Sequence, residues 1–304
     1  MASAPVTLAE RLGYSAEDVL VIINADDFGM NHSANLGISS LLAERRISSA
    51  TLMPPCAWAP EAAQISRENP GFDVGLHFTL TSEWAAYRWR PLTAAASLVD
   101  DSGYMPPKIL HVEQHATGED VRAELHAQVA HLRGLGVDIS HIDNHMGSVY
   151  GIATGRSFLR ETLETCAEYH LPFRLPRYAE TTPDGLAELE QSTAEVARLA
   201  DSLGVVIPDR LATVAFHNQP EDSPAKLEAE WTELIENLKP GVTEIYLHPF
   251  VETSELRASV RSWERRVMEH ALFAGDAIGN ALERRGARVI TWRDLRDLQR
   301  GERG

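Results

Sequence analysis

The stretch VLVIINADDFG, residues 19–29, decides the fold. Residues 19–24 form a short, mostly β-branched apolar run, which is typical of a strand buried on both faces in a parallel sheet. Two adjacent carboxylates, Asp26 and Asp27, follow this run directly. Proteins built on parallel β/α units place their catalytic groups just beyond the carboxyl ends of the strands. The end of this first strand is therefore a candidate site.

Apolar runs and amphipathic segments alternate along the rest of the chain, which predicts a parallel β/α architecture. We predict seven or so strands in a single domain over residues 1–304. The predicted strands cover residues 19–24, 49–53, 73–80, 138–142, 173–175, 212–216, 244–247 and 287–291. The predicted helices cover residues 31–45, 57–67, 119–135, 157–169, 186–203, 224–238 and 260–285, and a terminal helix follows the last strand.

Residues 81–113 interrupt this alternation and predict a long loop. A loop of this length in a compact domain is usually functional. It carries Trp84, Tyr87 and Trp89, which are candidates for a wall on which a sugar ring stacks. The alternative is an aromatic patch that packs over the mouth of the fold.

Composition excludes several classes of protein. The 304 residues carry a formal net charge of −16, which argues against a nucleic-acid partner, because a phosphate backbone needs a concentrated basic surface. The two cysteines form no CxxC pair, so we expect a reduced, cytoplasmic setting. Neither a secretory signal nor a membrane-spanning apolar stretch is evident, so no membrane partner is expected.

Polar residues gather at the same end of five predicted strands, which indicates a site. They are Asp26, Asp27, His77, His141, Asp143, His145, Arg174 and His248. Alternate residues of a strand share a face, so His141, Asp143 and His145 could point the same way. Imidazole and carboxylate groups are suitable ligands for zinc or another divalent ion.

Each of these residues also has a structural interpretation. The aspartate pair could instead supply the N-cap of the next helix and a turn residue before it. Any single histidine could be a hydrogen-bonded core residue. His217, which follows a predicted strand, is ambiguous and could line the pocket.

The motifs resemble those of the YdjC-like (ChbG) carbohydrate deacetylases over most of the chain. NADDFG at residues 24–29 is similar to the opening signature of that family, and GLHF at 75–78 and SHIDNH at 140–145 are similar to its second and third motifs. RLP at residues 174–176, Glu244 with His248-Pro249, and ITWRDL at 290–295 resemble later motifs. The resemblance implies an irregular, incomplete β/α barrel that is often dimeric.

The resemblance also implies the roles of individual residues. Asp27, His77 and His145 would bind one divalent ion, which is Mg²⁺ by family resemblance and Zn²⁺ by the chemistry of the ligands. Asp26 would be the general base and His248 the general acid. Arg174 would orient Asp26 through a charge-assisted hydrogen bond. The implied reaction removes the N-acetyl group from an amino sugar, so the partner is a small carbohydrate.

Two departures from the family pattern concern the substrate. Met146-Gly147-Ser148 stands where further histidines often follow the third motif, and the segment 83–92 is longer than a minimal member needs. Two other functions stay open: hydrolysis of a different amide or an ester at the same site, and sugar binding without catalysis. The combination of Asp26, both histidine ligands and His248 argues against a non-catalytic protein.

Overall fold

The computed structural model describes residues 6–178 and 190–302. Its strands are β1 Val19–Phe28, β2 Ser49–Leu52, β3 Val74–Phe78, β4 Ile139–Asn144, β5 Arg210–Ala212, β6 Gly241–Leu247 and β7 Arg288–Val289. They form one seven-stranded sheet in the order β4-β3-β2-β1-β6-β5, with β7 paired to β1. Every pairing is parallel. The predicted parallel β/α architecture, curled into an incomplete barrel, is confirmed.

Helices follow the strands and cover the outside of the sheet. They are α1 Leu8–Arg11, α2 His32–Ala43, α3 Ala59–Glu68, α4 Ile109–His115, α5 Gly118–Gly134, α6 Leu159–Tyr169, α7 Glu190–Leu203, α8 Pro224–Glu236, α9 Ser254–Ser259, α10 Trp263–Ala274, α11 Ala277–Arg285 and α12 Trp292–Arg300. Two single 3₁₀ turns lie at Ala96–Leu98 and His145–Gly147. Within the described part of the chain, no helix is both long and apolar enough to cross a membrane.

An irregular segment lies in the gap between β4 and β5. Phe173 forms a single parallel bridge with Ile142 of β4. On its other side, the Phe173 N–H donates to the Val206 carbonyl at 3.1 Å, and the Arg177 N–H donates to the Pro208 carbonyl at 3.0 Å. These few hydrogen bonds link the two edges of the sheet without a continuous strand, so the barrel is irregular at this point.

Three predicted elements differ from the structure. The predicted strand at 173–175 is reduced to the bridge at Phe173. The strand predicted at 212–216 is found at Arg210–Ala212, because the Thr213 hydroxyl bonds the Tyr246 carbonyl at 2.8 Å where a backbone ladder would continue. The helix predicted over 260–285 is divided into α10 and α11, since Gly275 adopts an extended conformation between them.

One loop and one helix also have boundaries that differ from those predicted. The segment predicted as a loop over 81–113 contains the 3₁₀ turn at Ala96–Leu98 and the start of α4. Residues 186–189, the predicted start of a helix, lie outside the described residues, and α7 begins at Glu190.

Side chains of β1 alternate between two environments, and this alternation places the site. Leu20 and Ile22 belong to an apolar cluster with Trp292 of α12, whereas Val21 and Ile23 pack into the main core. Asn24 and Asp26 lie on the same face of β1 as Leu20 and Ile22, nearer the carboxyl end of the strand. The interior of the barrel is therefore apolar at the amino ends of the strands and polar at their carboxyl ends.

Candidate active site

Asp26 and Asp27 both contribute to the polar end of the barrel, although neighbouring strand residues normally face opposite sides. The pairing of β1 with β2 is irregular between Ala25 and Phe28. Asp27 has a φ of 70°, in the left-handed region that non-glycine residues rarely occupy. This backbone turn brings the second carboxylate to the site, and such strained conformations cluster at functional positions.

Asp27, His77 and His145 converge, and their ligand atoms lie within 4.8 Å of one another. Asp27 Oδ1 is 3.5 Å from His77 Nε2 and 3.3 Å from His145 Nδ1, yet this buried oxygen has no hydrogen-bond partner among the described residues. The other oxygen, Oδ2, accepts a hydrogen bond of 2.8 Å from Arg266 Nη1. One carboxylate oxygen thus faces two imidazole nitrogens across a gap that suits a divalent ion.

A second buried group, formed by Asp26, His77 and Asp143, has a similar composition. Both of its carboxylates already pair with the guanidinium of Arg174. Asp27 Oδ1 has no such partner. We therefore consider the Asp27, His77 and His145 group the better candidate for a metal site.

His77 is held by Asp143, which lies beside it in the pairing of β3 with β4. His77 Nδ1 is 2.6 Å from Asp143 Oδ1. A carboxylate accepts hydrogen bonds and donates none, so Nδ1 carries a hydrogen, and Nε2 is the nitrogen that faces Asp27 and would bind an ion once it has lost its proton. Carboxylate support of this kind orients a histidine ligand and raises its basicity.

The electrostatics of the cluster favour a cation. Burial lowers the pKa of the His77 imidazole, but the carboxylates of Asp143 and Asp26 outweigh burial and raise that pKa to about 10. Burial likewise opposes protonation of His145, while Glu83 and Asp27 raise its pKa to about 9. Both rings therefore experience strong negative potential, which a bound divalent ion would neutralise in place of protons.

Asp26 lies in a separate ion-pair network. Arg174 Nη1 and Nη2 each donate to one Asp26 oxygen at 2.7 Å, and Asn24 Nδ2 donates to Oδ1 at 2.8 Å. The same guanidinium donates to Glu244 through Nε and Nη2, at 3.0 and 2.8 Å. Burial raises the pKa of Asp26, but the Arg174 charge outweighs burial and lowers it. Asp26 therefore remains ionised.

His248 follows β6 and is half-buried at the same end of the barrel. Its backbone N–H donates to Glu269 Oε2 at 2.8 Å, and its ring packs against Phe216 with centroids 5.5 Å apart. His248 Nδ1 and Glu269 Oε1 are both buried and without partners among the described residues. Burial and the charge of Arg266 lower the pKa of His248 to about 4.

His141 lies on the interior face but outside the group formed by Asp27, His77 and His145. Its ring stacks on Trp292 at 4.3 Å with an interplanar angle of 7°. Gly75 of β3 leaves room for this ring, because a Cβ at that position would overlap it. Burial lowers the pKa of His141 far below its usual value, so this histidine is neutral.

The aromatic residues of the long loop differ in exposure. Trp89 is 4% exposed, and its Nε1 donates to the Thr81 carbonyl at 2.7 Å. Tyr87 is half-buried and its hydroxyl donates to the Met30 carbonyl at 2.6 Å. Trp84 is half-buried, and its Nε1 has no partner among the described residues. His217 is exposed beside Phe216, with ring centroids 4.7 Å apart.

The sequence alone predicts no role for five residues of the site: Glu83, Asp143, Glu244, Arg266 and Glu269. Asp143 was a candidate from its strand position, and Glu83 follows β3 closely enough for the strand-end rule to find it. Arg266 and Glu269 lie in α10, and Arg266 reaches Asp27 of β1 from 239 positions further along the chain, whereas Glu269 contacts His248 just after β6. No local pattern marks them.

Glu269→Gln should change the pH dependence of stability. Burial raises the pKa of the Glu269 carboxyl from 4.5 to about 7. Between these values the folded protein binds a proton that the unfolded chain releases, so this group's contribution to the free energy of unfolding falls as the pH rises. The quantity to compare is the free energy of unfolding of the variant minus that of wild type. We expect this difference to be about 2–3 kcal/mol more positive at pH 8 than at pH 4.5.

Urea unfolding of both proteins at the two pH values tests this expectation. Glu264→Gln, which removes an exposed carboxylate from the same helix, is the matched control. An equal stability difference at both pH values would show that Glu269 does not titrate in this window.

Fold and site together define an incomplete parallel β/α barrel with a buried Asp/His cluster that could hold a metal ion at the carboxyl ends of its strands. The chain belongs to the YdjC-like family, whose model matches residues 20–284. The resemblance seen in the sequence motifs is therefore confirmed.

Individual relatives agree with this assignment. A carbohydrate deacetylase of Thermus thermophilus is 30% identical over 298 residues, which cover 95% of this chain and 98% of the relative. A chitooligosaccharide deacetylase of Yersinia enterocolitica is 39% identical over 131 residues, or 41% of this chain and 49% of that protein. The crystal structure of an Enterococcus faecalis protein named for cellobiose-phosphate cleavage matches with a TM-score of 0.72 and 25% identity, covering 91% of this chain and 99% of that one.

Proposed function

We propose that this protein is a metal-dependent carbohydrate deacetylase that hydrolyses the N-acetyl group of an amino sugar to acetate and a free amine. The names of the relatives that match almost the whole chain support the reaction. The observation that carries the metal dependence is the unpartnered Asp27 Oδ1 facing His77 Nε2 and His145 Nδ1.

Asp27, His77 and His145 would hold the ion. When bound, a divalent ion supplies Lewis acidity, which lowers the pKa of a water molecule and stabilises negative charge on a carbonyl oxygen. Arg266 fixes Asp27 from the far side through Oδ2, so Oδ1 stays directed at the two histidines. A ligand set fixed in advance needs no reorganisation when the ion binds.

Asp26 would take the proton of the attacking water as general base. Arg174 orients both of its oxygens and keeps the carboxylate ionised at every pH at which the enzyme would work. A positioned base typically contributes about 10²–10⁴-fold to a rate. Glu244 in turn holds Arg174 by accepting hydrogen bonds from its Nε and Nη2.

His248 would deliver a proton to the departing nitrogen. Because its pKa is about 4, the imidazole is neutral near pH 7 and must gain a proton within the reaction before donating it. The proton released by the attacking water is a sufficient source. Water adds to the acetyl carbon and the carbon–nitrogen bond breaks. One water proton moves to the nitrogen to give the amine, and the other leaves with the acid, which ionises to acetate.

The long loop would form the wall of the substrate pocket, and its tryptophans should behave differently. Trp84 is only half-buried, so Trp84→Ala should raise KM for an N-acetylglucosamine oligomer more than it lowers kcat, since it removes binding away from the reacting bond. Stacking of a sugar on such a ring is worth on the order of 1 kcal/mol. Trp89 is 4% exposed, so Trp89→Ala should mainly lower thermal stability.

Steady-state kinetics and thermal unfolding of the two variants test this assignment. Tyr87 and His217 are further candidates for substrate contacts at the rim of the pocket. If Trp84→Ala lowers the melting temperature while KM stays unchanged, the side chain only packs the loop against the barrel.

Acetate release from N-acetylglucosamine oligomers, with and without a chelator, tests the function. We expect acetate to form, to stop after chelation and to resume when a divalent ion is added. Hydrolysis of a model ester or of another amide but not of these sugars would favour the alternative hydrolase. Sugar binding without acetate release at any metal concentration would favour a non-catalytic sugar-binding protein.

A further inference from the structure

The loop that follows β3 places a carboxylate against the metal cluster. Glu83 Oε2 lies 3.0 Å from His145 Nε2, and the Glu83 side chain is 16% exposed. The opposite ring nitrogen, Nδ1, faces the unpartnered Asp27 Oδ1 at 3.3 Å. Glu83 therefore contacts the side of the ring that points away from the cluster.

This arrangement is the mirror of the one at His77. There, Asp143 binds Nδ1 and leaves Nε2 directed at Asp27. At His145 the carboxylate contacts Nε2, so that nitrogen carries a hydrogen, and Nδ1 is the nitrogen that faces Asp27 and would bind an ion once it has lost its proton. The two imidazoles thus present opposite nitrogens to the same carboxylate oxygen, and each is oriented by its own acidic residue.

We propose that Glu83 is a positioning residue that fixes the tautomer and orientation of His145, so that this histidine binds the metal through Nδ1. The inference rests on the proposed metal site. Glu83 is absent from the cluster of mutually close ligand atoms that Asp27, His77 and His145 form. It acts through the histidine and is not itself a ligand.

Hydrogen bonds on both sides of Glu83 hold it in place. The Ser82 N–H donates to the Pro106 carbonyl at 2.9 Å, and the Ser82 hydroxyl accepts from the Trp89 N–H at 3.1 Å. Trp89 Nε1 also donates a hydrogen bond to the Thr81 carbonyl. Its ring lies 6.2 Å from that of His145, centroid to centroid. Hydrogen bonds therefore order the loop next to Glu83, and the Trp89 ring of this loop lies beside His145, the histidine that Glu83 contacts.

A buried carboxylate anchors the loop just beyond its aromatic residues. Glu124 of α5 is fully buried and accepts hydrogen bonds from the backbone N–H groups of Leu92 and Thr93 at 2.9 and 3.0 Å. Gln128, one turn further along α5, bonds both Glu124 and the Thr79 carbonyl. The same helix therefore holds both ends of residues 79–93, the segment that carries Glu83.

The test is the zinc affinity of the purified full chain, measured by competition with a chelating dye. Glu83→Ala removes the acceptor and should weaken zinc binding by about 10- to 100-fold, as the loss of a group that orients a ligand typically does. Glu83→Gln keeps an acceptor oxygen and should bind zinc within a few-fold of wild type. Asp100→Asn is the control, because Asp100 pairs with Arg88 in the same loop without touching a histidine.

A spectroscopic measurement separates orientation from simple loop damage. In zinc-loaded, ¹⁵N-histidine-labelled protein, the His145 resonances should show a metal-bound Nδ1 and a protonated Nε2, and His77 the reverse. Loss of this pattern in Glu83→Ala with retention in Asp100→Asn is the expected result.

Three results would overturn the proposal: unchanged zinc affinity in Glu83→Ala, an equal loss in Asp100→Asn, or a loss in Glu83→Gln as complete as that in His145→Ala. Failure of the wild-type protein to bind zinc at all would instead contradict the metal site of the proposed function.

Discussion

Asp26→Asn is expected to keep the metal and to lower kcat by about 10²–10⁴-fold. The substitution preserves the shape of the side chain and one acceptor for Arg174, but it removes the group that would take a proton from water. Because Asp26 lies outside the candidate ligand set, the ion should remain bound. Metal analysis and steady-state kinetics of the same preparation provide the comparison.

Asp27→Asn is the counterpart of this variant. The two aspartates are adjacent in sequence, but their substitution should affect different properties, metal binding for Asp27 and turnover for Asp26. We expect Asp27→Asn to lose affinity for the ion. Asp73→Asn removes a buried aspartate just before β3, at the opposite end of the barrel, and should affect neither property. Retained metal in Asp27→Asn together with lost metal in Asp26→Asn would mean that the two roles are reversed.

His77→Ala and His145→Ala are expected to lower metal content and to abolish acetate release, with the fold kept. Each removes one of the three proposed ligands, and both rings are almost completely buried, so water replaces the lost nitrogen poorly. His141→Ala is the matched control, since it also removes a buried barrel histidine, but one that stacks on Trp292 outside the cluster.

For this control we expect lower stability, because the substitution leaves a cavity, together with normal metal content. Circular dichroism measures the stability of each variant, and elemental analysis measures its metal content. If His77→Ala or His145→Ala binds metal as well as wild type, the ligand assignment is wrong at that residue.

Much of the fold could be predicted from the sequence, because buried parallel strands have a distinct composition. The run that became β1 is apolar on both faces, and its length and flanking residues leave few alternatives. Hydrophobic periodicity could not reveal the break at Gly275, since apolar positions continue on both sides of it. Nor could it show that Phe173 would form one bridge instead of a strand, which depends on contacts distant in sequence.

The site could be predicted in part for the same reason. Strand ends collect the catalytic groups of a parallel sheet, and that rule found Asp26, Asp27 and His77. It could not find Arg266, which reaches Asp27 from a helix 239 positions further along the chain. It also could not show that the left-handed backbone of Asp27 turns a second carboxylate into the barrel, because this depends on the local irregularity between β1 and β2.

The central claim is that Asp27, His77 and His145 hold one divalent ion. Its most direct test is an anomalous difference map from a zinc-loaded crystal, with data collected on both sides of the zinc absorption edge. We predict a single strong peak about 2.0–2.2 Å from Asp27 Oδ1, His77 Nε2 and His145 Nδ1. A fully loaded crystal with no peak between these three atoms, or with its peak at Asp26 and Asp143 instead, would contradict the account.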